Sequence, residues 1–88
     1  MPAQAVTIAN RRGLHARASA KFVTLASQLP ATIRVDKDGN SVVGTSIMGL
    51  MMLGAALGDT ITIATEGEGA EDALAQLIAL VENRFGED

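Results

Sequence analysis

A single histidine, His15, stands inside residues 10–22, which read N-R-R-G-L-H-A-R-A-S-A-K-F. The same stretch holds Arg11, Arg12, Arg17 and Lys21, four of the seven Lys and Arg residues in the chain. No Asp or Glu precedes Asp36, yet the whole chain has a net charge of −3. Positive charge gathered around the one imidazole points to a negatively charged ligand or partner at His15. A neutral imidazole near pH 7 is a good nucleophile, and a ring nitrogen can accept a phosphoryl group. The oxygens of that group need donors. Arg17 offers a guanidinium fork, and a helix opening just after His15 would offer free backbone N–H groups and the positive end of its dipole. The competing reading is structural: His15 caps a helix and the arginines are a solvated face. A metal site is not expected, because one histidine without an acid within twenty residues gives no local ligand set.

The elements that must carry His15 follow from periodicity. Residues 4–9 alternate, with Val6 and Ile8 on one face of a half-buried strand. Residues 10–13 break the pattern, and Gly13 permits positive φ or close approach. From Ala16 the spacing of Leu14, Ala18, Phe22, Leu25, Ala26 and Leu29 becomes helical, and Pro30 stops the helix. Residues 32–36 form a strand, 37–40 a turn and 41–43 a return strand, together a hairpin. Thr45 and Ser46 are N-cap candidates for a short helix through Leu53, with Leu50, Leu53 and Leu57 inward. Met48, Met51, Met52 and Ala55 share its other face, so that helix is fully buried or meets a partner. Residues 60–65 are a strand with Ile61 and Ile63 inward. Residues 70–85 are the cleanest helix, with Leu74, Leu77, Ile78, Val81 and Phe85 as its stripe. Glu71 and Asp72 lie in its first turn, Arg84 in its last, and Gly86 ends it. The order β-α-β-β-α-β-α places three helices over one face of a four-stranded sheet, an α/β two-layer (α+β) fold.

Composition limits the alternatives. Eighty-eight residues with 48% hydrophobic content make one packed domain, 1–88. Cysteine, tryptophan and tyrosine are absent, which removes disulfides and thiolate chemistry. The acidic balance and the scarcity of aromatics argue against nucleic-acid binding. The longest apolar run, near residues 47–57, is too short for membrane insertion, and the N-terminus does not resemble a signal peptide. A cytoplasmic monomer without a cofactor is expected.

G-L-H-A-R at residues 13–17, followed by Ala20-Lys21-Phe22, closely resembles the active-site segment of the histidine-containing phosphocarrier (HPr) family of the phosphoenolpyruvate-dependent phosphotransferase system. T-S-I-M-G-L-M-M-L-G at residues 45–54 is similar to that family's second signature, and the resemblance covers nearly the whole chain. It implies an open-faced β-sandwich whose antiparallel sheet runs in the order 1-4-2-3. It also implies a carrier, not an enzyme: Enzyme I phosphorylates Nδ1 of His15, Arg17 stabilises the phosphohistidine, and an Enzyme IIA domain receives the group. The partner-binding residues would be Arg12, Ala16, Ala20, Lys21 and Thr24 on one side and Ile47, Met48, Met51 and Met52 on the other. The methionines would suit a surface that fits several partners, with core filling as their structural alternative. Ser46 matches the serine that HPr kinase/phosphorylase modifies in some bacteria, beside its reading as a cap. Many sugar-system members have proline where Ala18 stands; A-R-A-S looks more like nitrogen-related or regulatory branches. A binding-only regulator is the alternative function.

Overall fold

The computed structural model describes residues 2–87. Strand β1 (Ala3–Thr7) leads into helix α1 (Ala16–Ser27), then strands β2 (Thr32–Lys37) and β3 (Asn40–Val43), helix α2 (Ile47–Met52), strand β4 (Thr60–Glu66) and helix α3 (Ala70–Glu82). The sheet order is β1-β4-β2-β3, and every neighbouring pair is antiparallel. The expected order 1-4-2-3 with three helices is therefore the fold of this chain.

Alternation builds the sheet's two faces. Ile61, Ile63 and Thr65 of β4 are buried, as are Ile33 and Val35 of β2 and Val6 of β1. All of these except Thr65 meet Ala18, Phe22 and Ala26 of α1 and Leu77, Ile78 and Val81 of α3 in one apolar core. Ile8 continues the β1 pattern beyond the strand's last residue and is fully buried. The β2–β3 hairpin turns on Asp38 (φ 51°) and Gly39 (φ 84°), two consecutive left-handed residues. This suits a two-residue loop whose twist matches its strands.

Several boundaries differ from the sequence reading. β1 ends at Thr7 because Ile8 hydrogen-bonds the 58–59 loop instead of β4. α1 ends at Ser27, before Pro30, with the Gln28 and Leu29 N–H groups closing a last tight turn. Leu57 does not face the core; it lies beyond α2 and is 55% exposed. Ala55 is buried rather than sharing the exposed methionine face. α3 stops at Glu82, not Phe85, and Arg84 lies outside it. Arg84 (φ 58°), Phe85 (φ 54°) and Gly86 (φ 74°) form a left-handed turn instead. Left-handed backbone costs a non-glycine residue about 1–2 kcal/mol, so something must hold this turn. Phe85 does so by burying its ring in the core with 1% exposure.

Candidate functional site

His15 is the N-cap of α1, in extended conformation (φ −73°, ψ −179°). Its carbonyl accepts the Ser19 N–H at 2.9 Å, the first helical bond. Its Nδ1 accepts the Arg17 N–H at 3.3 Å. The cap reading holds, and the ring nitrogen that closes the helix end lies beside the unpaired amides of the first turn. Ser19, fully buried, donates its Oγ–H to the Leu14 carbonyl at 3.1 Å and fixes the approach to the helix.

Gly13 sets the entry. It has φ 62°, and a Cβ there would fall on the Ala55 carbonyl oxygen. The close approach lets Leu14 N–H bond Ala55 O at 2.9 Å. Asn10, fully buried, donates its side-chain N–H to Gly13 O at 2.8 Å. The segment before His15 is therefore held from both sides.

The other face of the ring meets a residue the sequence did not suggest. His15 Nε2 lies 2.8 Å and 3.1 Å from the two carboxylate oxygens of Glu87. Asn10 Nδ2 also donates to Glu87 Oε1 at 2.9 Å. The His15 bond first, and the Asn10 bond second, hold the Glu87 carboxyl below the ordinary carboxylate range. Its charge, and the contact, are present above the ordinary value and disappear as the pH falls through the lowered one. Lys21 Nζ donates to Phe85 O at 2.7 Å and ties the left-handed turn to α1.

The remaining expected site residues divide by exposure. Arg11, Arg12, Ala16 and Arg17 are exposed, Ala20 is half-buried, and Arg11, Arg12 and Arg17 make no ion pair among the described residues. Thr24 is exposed and returns its hydroxyl to Ala20 O at 2.9 Å. Lys21 is partly committed to Phe85 O. On α2, which packs against α1, Ile47, Met48, Met51 and Met52 are all exposed, Met48 by 67% and Met52 by 80%. Core filling is thereby removed as their role. Ser46 caps α2, its Oγ accepting Gly49 N–H at 3.0 Å. Among the described residues no helix is long and apolar enough to cross a membrane.

Residues 2–83 match the family model described as "PTS HPr component phosphorylation site". The chain belongs to the HPr family. It is 49% identical to phosphocarrier protein HPr of Pseudomonas aeruginosa over 99% of this chain and 98% of that one. It is 47% identical to HPr of Cupriavidus necator, over 92% and 91% of the two chains. A phosphocarrier protein NPr, from Shewanella violacea, is 42% identical over 93% of this chain and 90% of that one. Among solved structures, HPr-C-His of Thermoanaerobacter tengcongensis superimposes with a TM-score of 0.95 at 41% identity, covering 100% and 99%. An HPr dimer from the same organism aligns with a TM-score of 0.78 at 43% identity, covering 93% and 94%. Like other HPr proteins, the chain is a phosphocarrier of the bacterial phosphotransferase system and not a catalyst.

Proposed function

We propose that Nδ1 of His15 takes a phosphoryl group from phospho-Enzyme I and passes it to a histidine of an Enzyme IIA domain. The observation that carries this reading is the placement of Nδ1 against the Arg17 amide at the start of a twelve-residue helix. Phosphoryl oxygens on Nδ1 would meet unpaired N–H donors and the positive dipole end, with the Arg17 guanidinium free to close over them. The ring is partly exposed, 17% for its side chain, so the group can be reached from outside. That suits a carrier, which must load and unload at one site.

Exposed Ile47, Met48, Met51 and Met52, with Arg12 ahead of α1 and Ala16, Ala20, Lys21 and Thr24 along it, form the partner surface. The whole chain, 1–88, acts as one domain, as a cytoplasmic monomer. The dimeric T. tengcongensis relative makes oligomeric state worth measuring, and sedimentation at micromolar concentration is expected to give the 9.1 kDa monomer. Alanine after Arg17 and the NPr relative favour a nitrogen-type regulatory branch over sugar uptake. A relay assay tests both halves: label from phosphoenolpyruvate should reach an Enzyme IIA domain only when this chain is present. A nitrogen-type acceptor should be served faster than a sugar-type one. Label that reaches neither would sink the reading.

Ser46 is a modification site for HPr kinase/phosphorylase in the same proposal. A phosphate there adds about two negative charges beside the exposed methionines and repels acidic partner surfaces. Phosphoryl-Ser46 protein is expected to accept phosphate from Enzyme I on the order of tenfold more slowly. Ser46→Ala should lose only the cap, about 1 kcal/mol, and keep its transfer rate. Unchanged transfer in the phosphorylated protein would leave Ser46 as a cap alone.

A further inference from the structure

We propose that Glu87 is a positioning residue for His15, carried back over the ring by the left-handed turn and locked by Asn10. The proposal rests on His15 being the phosphoryl acceptor. Three separate contacts converge on this short tail. Phe85 is sunk in the core, Lys21 Nζ holds its carbonyl at 2.7 Å, and Asn10 donates to Glu87 Oε1 at 2.9 Å. Two consecutive non-glycine residues, Arg84 and Phe85, take left-handed backbone on the way. Strain of this kind persists only where the surroundings over-determine it, and it gathers at functional sites. Here its product is a carboxylate 2.8 Å from Nε2.

The chemistry follows from which groups can donate. An ionised carboxylate only accepts, and a neutral imidazole has one N–H and one lone pair. Asn10 Nδ2 spends its hydrogens on Gly13 O and Glu87 Oε1, so the carboxylate faces His15 as an acceptor. The proton therefore belongs on Nε2, and the lone pair on Nδ1, where the Arg17 N–H points. In transfer, the Nδ1 lone pair forms the new N–P bond. The donor's P–N bond breaks, and its electron pair returns to the donor ring. No proton has to leave His15. The ring becomes a phosphorylated imidazolium whose Nε2–H still faces Glu87, so a positive charge is acquired opposite a negative one already in place. Passing the group onward reverses each change.

Steady-state phosphorylation by Enzyme I and phosphoenolpyruvate, with this chain as the varied substrate, tests the proposal. Glu87→Ala should lower kcat about tenfold with KM unchanged. Glu87→Gln keeps an acceptor oxygen without the charge and should recover part of the loss. Wild-type kcat in Glu87→Ala, or a loss confined to KM, would overturn the positioning role, the latter making Glu87 a docking contact. Ring ¹⁵N NMR of the unphosphorylated protein at alkaline pH gives a second readout that needs no phosphoryl donor. Wild type should show the Nε2–H tautomer alone, and Glu87→Ala a measurable Nδ1–H fraction; identical spectra would overturn the proposal. A wild-type protein with the ordered ring but no phosphorylation would sink the acceptor reading instead.

Discussion

Gly13→Ala is expected to cost about 3 kcal/mol or more of unfolding free energy and to lower phosphoryl transfer even where the protein stays folded. Two effects add. The residue's φ of 62° is unfavourable for any Cβ, and that Cβ would strike Ala55 O and come within 2.9 Å of Ala56 Cα. Both are backbone atoms and cannot swing aside as a side-chain tip would. Relief means separating the two loops, which breaks the Leu14 N–H bond to Ala55 O and disturbs the Asn10 bond to Gly13 O. Leu14 is 5% exposed and adjoins His15, so the shift reaches the ring. Gly54→Ala is the control. Its φ is 66°, but nothing lies within 4 Å of the added Cβ, so only about 1 kcal/mol is expected. Urea unfolding of the two variants measures the difference, and equal losses would remove the steric argument.

Arg17→Ala should slow phosphoryl transfer by about ten- to a hundredfold while changing stability by no more than about 0.5 kcal/mol. The side chain is exposed and makes no ion pair among the described residues, so the fold does not depend on it. The backbone N–H that caps onto His15 Nδ1 survives in alanine. The substitution therefore isolates the guanidinium. Arg17→Lys keeps the charge but loses the fork and should fall between. Single-turnover transfer from phospho-Enzyme I reads the effect, and a wild-type rate in Arg17→Ala would remove Arg17 from the site.

The start of α1 was legible because its signals are local. Gly13, His15 and the change of period at Ala16 lie within a few residues of one another, and the structure places His15 as the cap. The end of the chain was not. Phe85 extends the stripe Leu74, Leu77, Ile78 and Val81 at helical spacing, and periodicity cannot report the sign of φ. The ring does reach the core, as the stripe implied, but through a left-handed turn. Glu87 stands 72 residues from His15, so a search for acids near the histidine in sequence could not find it. Asn10 read as a loop breaker, although its burial makes it the link between Gly13 and Glu87. Leu57 matched the spacing of Leu50 and Leu53 only if the second helix continued. The helix ends at Met52, the phase is lost, and Leu57 turns outward while Ala55 turns in.

The central claim is that His15 is the acceptor. Intact mass after incubation with Enzyme I, Mg²⁺ and phosphoenolpyruvate tests it most directly, with His15→Ala alongside. One added phosphoryl group, labile in acid and absent from the variant, is the predicted result. An added group that persists in His15→Ala, or no added mass on the wild-type chain with an active Enzyme I, would contradict it.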